Sequence, residues 1–177
     1  MDTETQNSFI DQLKALVIDT KQRNNRGNRA ALRRYWSPTT RYQAYPLLGQ
    51  LGALRDSRKT ILAALFAEHP QHKAGQTIAK AALRLDKPTD GKHPYDRHFR
   101  RLLACDSLND LAQQLYRLVK RLQRKGIPLD YESLLINLYT WTKTSEPHKR
   151  EDVKVRWAAD FWQAQIPTEM NEEVIES

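Results

Sequence analysis

One cysteine, Cys105, in 177 residues leaves no partner for a disulfide within the chain. That excludes a cross-linked scaffold and fits a reducing, cytoplasmic setting. No run of about 18 apolar residues occurs, so no membrane-spanning helix and no membrane partner are expected. The opening segment, MDTETQNSFIDQL, is acidic and polar where a secretory leader needs basic residues ahead of an apolar core. Sustained alternation of apolar and polar residues is missing, which leaves no stretch to assign to a strand. Phosphate-binding glycine loops and paired carboxylates in an apolar setting are missing too. His69 and His72 have Pro70 between them and no cysteine or carboxylate set to complete a metal site. No catalytic residue, metal ligand or cofactor is expected, and the chain does not read as an enzyme.

What the chain does have is helical periodicity and positive charge. Apolar residues recur at spacings of three and four, as in Phe9, Leu13, Leu16 and Val17, and turn signals divide the sequence into short helices. NNRGNR (24–29) ends the first, with Gly27 as its stop and Asn28 as the cap of the next. A helix is expected from near Ser57 to Pro70, followed by one over GQTIAKAALRL and one over YDRHFRRLLAC. Ser107 with Asp110 three residues on resembles a capping box, and Gly126 and Pro128 close the long helix that follows. Asp130 caps the next helix. The last runs from about Pro147 to Gln165, with Pro167 ending it. The fold class is therefore all-α, as two small helical bundles joined by a short Pro/Gly linker, DKPTDGKHP (86–94). The N-terminal bundle is placed over 1–87 and the C-terminal bundle over 88–166. An acidic tail over 167–177 is expected to fray. Cys105, Trp141, Trp157 and Phe161 read as core, whereas His93, His98 and His148, which stand beside basic residues, read as members of a basic patch or of the surface and not as general bases.

Lys and Arg total 29 against 21 Asp and Glu, a net charge of +8. Such a balance favours a polyanionic partner. The charges are also sorted. In LYRLVKRLQRKG (115–126), with Leu111 before it, Leu111, Leu115, Leu118 and Leu122 form one stripe. Arg117, Lys120, Arg121 and Arg124 form the opposite face, Lys125 sits at its edge, and no carboxylate is interleaved. Like charges at i,i+4, such as Arg117 with Arg121, cost a few tenths of a kcal/mol, so a helix that keeps them is suited to face an anion. The preceding helix buries Tyr95, Phe99, Leu102 and Leu103 and presents Arg97, Arg100 and Arg101. Near the N-terminus Arg29 and Arg33 share a face, with Arg34 beside them and Leu32, Tyr35 and Trp36 turned inward. Arginine dominates all three groups, and its planar guanidinium grips phosphate oxygens two at a time. The expected ligand is a nucleic-acid backbone, bound without regard to sequence. About six neutralised phosphates would give a log–log salt slope of roughly −4 to −5.

Three segments in order, RAALRR (29–34), DRHFRRLLACDSLNDLAQQLYRLVKRLQRKGIPLDYESLLINLYTW (96–141) and VKVRWAADFW (153–162), resemble the CasB family. That family is the small subunit of the type I-E CRISPR surveillance complex, Cascade. The resemblance runs from about residue 27 to 162 and is strongest from 95 onward. It implies an all-helical, non-catalytic protein whose partners are a Cas7-type backbone, a large subunit, guide RNA and a second copy arranged head to tail. It also implies contact with target DNA, including the displaced single strand, and hence support of the R-loop. The family's basic positions fall on Arg33, Arg34, Arg97, Arg100, Arg101, Arg117, Lys120 and Arg121. Arg124 is added from the helical face, and Arg29 and Lys125 as weaker members. A free-standing helical DNA- or RNA-binding protein and a scaffold docked on acidic subunits are the rival readings.

Overall fold

Capping residues and apolar spacing account for most of the helices in the computed structural model, which describes residues 8–143 and 145–163. Those residues form nine α-helices and no strand, so the fold is all-α. Helix α1, Phe9–Val17, begins at Ser8, whose hydroxyl accepts the Asp11 N–H at 3.2 Å. Helix α2, Arg26–Arg33, departs from expectation at its start, because Gly27 and Asn28 lie in its first turn instead of marking a stop and a cap. The physical reason is tertiary. Asn25 sends its amide back to the Ala15 and Ile18 carbonyls at 3.0 and 2.7 Å, and Asn28 sends its own to Leu16 at 3.0 Å. Both asparagines therefore satisfy the open end of α1, where a local reading assigns Asn28 to its own helix.

A short helix α3, Tyr45–Gln50, follows two 3₁₀ turns and was not expected from the periodicity; Pro46 near its start is the local signal for it. Helix α4, Ser57–Glu68, is capped by Asp56, which accepts the Arg58 N–H at 3.1 Å. Every residue of α4 from Thr60 to Glu68 is buried, so it is covered on all sides. Helix α5, Ile78–Leu83, starts at Thr77. Residues 86–94 are irregular, with Asp90 and Gly91 at positive φ.

Helix α6, Asp96–Leu103, leads to α7, Leu108–Lys125, where Ser107 accepts the Asp110 N–H at 3.1 Å. Gly126 ends α7 in the left-handed region at φ 66°, and the Ile127 N–H returns to the Leu122 carbonyl at 3.0 Å. Asp130 accepts the Ser133 N–H at 3.0 Å to start α8, Tyr131–Trp141. Helix α9 is Pro147–Trp162. Its expected end at Gln165, the stop at Pro167 and the tail over 167–177 lie outside the described residues.

One apolar core runs from Ile10 to Phe161. Helix α4 packs against α2, α7 and α8, α5 packs against α9, and α6 against α7. Helices from both sides of the 86–94 segment therefore contribute to it. Leu111, Leu115, Leu118 and Leu122 are each fully buried, a transfer gain of about 2 kcal/mol apiece that fixes the rotation of α7 about its axis. Cys105, Trp141, Trp157 and Phe161 are buried as expected. His93 is buried too, and not a surface residue: its Nε2 lies 3.0 and 2.9 Å from the Leu83 and Asp86 carbonyls.

The loops after α4 and α7 lace together. Leu129 donates to the Gln71 carbonyl at 3.0 Å, Lys73 to Leu129 at 3.1 Å and Asp130 to Gln76 at 2.8 Å. Tyr131 donates its hydroxyl to the His69 carbonyl at 2.6 Å, and His69 Nε2 meets the Ile127 carbonyl at 2.6 Å. This lacing holds α7 against α4 and sets where its basic face points.

Candidate nucleic-acid interface

Helices α6 and α7 bring their cations to one place. Tyr95, just before α6, is buried and gives the site its floor. The His98 ring stacks on Tyr95, with centroids 5.3 Å apart and planes 28° from parallel. From α7, Arg121 Nη2 reaches His98 Nε2 at 3.2 Å, and its guanidinium carbon lies 5.3 Å from the centre of the Tyr95 ring. Arg97 and Arg101 from α6 and Arg117 from α7 are exposed around them.

The electrostatics report the same crowding. Partial burial depresses the basicity of His98, and the charges of Arg121, Arg101, Arg97 and Arg117 depress it further. Burial pushes the Tyr95 phenol up to about 12, against the pull of Arg121 and Arg117. Two groups that were separate in sequence thus form one positive surface.

The remaining expected cations are arranged differently. Arg100 turns toward α9, where it pairs with Asp96 at 2.7 Å and lies 5.0 Å from the Trp162 ring centre. Trp162 Nε1 donates to the same carboxylate at 2.7 Å. The Arg100 hydrogen bond, against some desolvation, holds the Asp96 carboxyl below its usual range. Arg34 is exposed and donates to Gln43. Arg124 and Lys125 are exposed on the last turn of α7.

Arg29, Arg33 and Lys120 gather at the end of α4 around Glu68, a carboxylate only 2% exposed. Arg33 binds it through both nitrogens, Nε to Oε2 at 3.0 Å and Nη2 to Oε1 at 3.2 Å. Lys120 Nζ lies 3.9 Å from Oε1. Arg29 donates to the Ala67 and Glu68 carbonyls at 2.8 and 3.1 Å, closing the C-terminal end of α4. Helix α7 contains no interleaved carboxylate, yet one reaches it from α4. Arg29 and Arg33 keep a solvent side, since with Arg26 and Gln123 they line a cleft of about 640 Å³ beside α2. Lys120 also stands 5.5 Å from the Tyr116 ring, which stacks on Trp36 at 4.5 Å.

Sequence reasoning placed His98 beside basic residues but missed its contact with Arg121 from α7, the buried Glu68 and the Tyr95 floor. Only the i,i+3 spacing of Tyr95 and His98 hinted at the stack. Among the described residues no group of three or more His, Cys, Asp and Glu could hold a metal ion, and no helix is long and apolar enough to cross a membrane.

The model of the family of CRISPR-associated protein Cse2 matches residues 28–162, from α2 to the end of α9. The chain belongs to the Cse2 family. A crystal structure of a Cse2-family CRISPR-associated protein from Thermus thermophilus is 26% identical, covers 88% of this chain and 96% of its own, and superposes with a TM-score of 0.67. A structure of CasB from Thermus thermophilus gives 26% identity, the same coverages and a TM-score of 0.66. CasB from Thermobifida fusca, at 22% identity and a TM-score of 0.66 over 86% of this chain and 94% of its own, shares the fold. Among curated proteins, none matches. The family match includes both α6 and α7, and with them every residue of the merged arginine group.

Proposed function

We propose that this Cse2-family chain is a non-catalytic small subunit of a type I-E Cascade complex. In this reading it binds nucleic-acid backbone through the α6–α7 face and stabilises the R-loop, including the displaced strand. The observation that carries the reading is the convergence of Arg97, Arg101, Arg117 and Arg121. Among the described residues none of the four is ion-paired to a carboxylate, whereas Arg33, Arg100 and Lys120 are. A cationic surface with no ion-pair partner among the described residues favours an external polyanion. Arg124 and Lys125 continue the face along the last turn of α7, Arg34 is an exposed cation just after α2, and Arg29, Arg33, Arg100 and Lys120 form a second tier that shares its charge with internal partners.

Opening a duplex against a guide is nearly balanced in free energy, so backbone contacts are enough to tip it. A rigid helical wall that holds the extruded strand slows reannealing without reading bases. The partners in this reading are the Cas7-type backbone, the large subunit, guide RNA, target DNA and a second copy of the chain. The test is the rate at which an assembled surveillance complex loses its open loop, with and without the chain, over a salt series. Slower loss with the chain, and a benefit that shrinks as salt rises, is the expected result. No effect there, together with tight duplex binding by the chain alone, would favour a free-standing DNA-binding protein instead.

A further inference from the structure

His98 is placed like a member of the arginine group but carries no charge in the hydrogen-bonding pattern it adopts. The Arg121 guanidinium can only donate, so the Nε2 it meets at 3.2 Å must accept, which makes the ring neutral with its proton on Nδ1. The charged and titratable groups facing it are Arg97, Arg101 and the Tyr95 phenol from the α6 side, and Arg117 and Arg121 from α7. All four charges are positive. Among the described residues no carboxylate acts on the ring, since Asp96 is held by Arg100 and Trp162. Partial burial and these positive charges together keep the ring uncharged, and an arriving anion offsets the charges.

Resting on the nucleic-acid reading of this face, we propose that His98 is a fifth cation of the site, neutral in the free chain and protonated when a phosphodiester enters. The phosphate offsets the arginine charges that oppose protonation. Arg121 then turns its N–H from Nε2 to a phosphate oxygen, and Nε2, having taken a proton from solvent, donates to the backbone as well. The bound phosphodiester stays anionic throughout the physiological range, and Tyr95, raised to about 12, does not titrate there.

The sign follows from linkage. The free chain binds the proton only below the ordinary histidine value of about 6.5, and the complex binds it at higher pH. Binding therefore takes up a proton between the two values. Affinity rises as pH falls through that interval, by up to about tenfold per pH unit for one proton. It levels off below the free-chain value.

The experiment measures the affinity of the full chain for a fluorescent single-stranded DNA oligonucleotide, by anisotropy, from about pH 8.5 down to about pH 5.5 at constant ionic strength. The His98→Gln variant keeps an acceptor for Arg121 without titrating, and His98→Arg keeps a charge at every pH. The wild type is expected to show the slope, His98→Gln to bind weakly and without it, and His98→Arg to bind tightly and without it. In parallel, NMR titration of the His98 ring should show its midpoint rise when the oligonucleotide is added. An equal slope in His98→Gln, or an unmoved midpoint in a chain that does bind, overturns the proposal and leaves the nucleic-acid reading standing. Absence of binding at any pH overturns both.

Discussion

Replacing Arg117 and Arg121 together with glutamate is expected to weaken binding of the chain to single-stranded DNA by roughly a hundredfold at low salt, with folding intact. Both side chains are exposed on α7, while the leucine stripe that holds the helix is untouched. The change moves four charge units in the middle of a surface that draws its affinity from summed charge. At roughly 0.5–1 kcal/mol for each unit near a phosphate, the loss is about 2–4 kcal/mol. The salt slope should become shallower by about one for each phosphate that is no longer neutralised. Stability should barely move, because one like-charge i,i+4 pair replaces another and the new carboxylates lie near Arg97 and Arg101. Anisotropy over a salt series and a thermal melt measure the two quantities. Unchanged affinity with an unchanged melt would remove the α6–α7 face from the site.

Glu68→Ala is expected to move stability and binding in opposite directions. The mutation deletes a buried carboxylate held by Arg33 through two hydrogen bonds and approached by Lys120. Breaking a fully buried pair costs about 3–5 kcal/mol, because the remaining charge is stranded away from water. Here the side chains of Arg33 and Lys120 are 44% and 38% exposed and can rehydrate, so about 2 kcal/mol is expected. The two cations are then free for a phosphate, and affinity for DNA should rise about three- to tenfold, the ordinary worth of one or two partly screened ion pairs. Urea unfolding and anisotropy on the same variant give both numbers. A fall in both would mean that Glu68 holds Arg33 and Lys120 in their binding positions and does not compete for them.

How far the sequence could be read depended on how local the deciding contact was. The caps at Ser107 and Asp130, the stop at Gly126 and the leucine stripe of α7 lie within a few residues of what they control, and all were legible. Asn28 misled because its amide serves the Leu16 carbonyl twelve residues upstream. The basic faces of α6 and α7 were each readable from spacing. Their meeting around His98 was not, since it depends on how one helix docks on the other. Arg100 sits one position from Arg101, yet it belongs to Trp162 and Asp96, and nothing in the spacing announces a partner from α9. Glu68 was invisible for the same reason, with its main partner 35 residues away. The end-to-end burial of α4 lies beyond periodicity altogether, because a helix covered on every side has no polar face to reveal it.

The all-round burial of α4 and its lacing to the loop after α7 also bear on how the chain is made. Translation delivers α4 well before the segments that cover it; His69 and Ile127, for example, are 58 residues apart. Until α7 and α8 emerge, the nascent chain carries an apolar rod with one flank unprotected, a state prone to aggregation. Contacts between distant segments also slow folding, since loop closure must come first. The first half then lacks part of the cover that α4 has in the native chain. In native-state hydrogen exchange, the amides of α4 should open only together with those of α8, as one cooperative event.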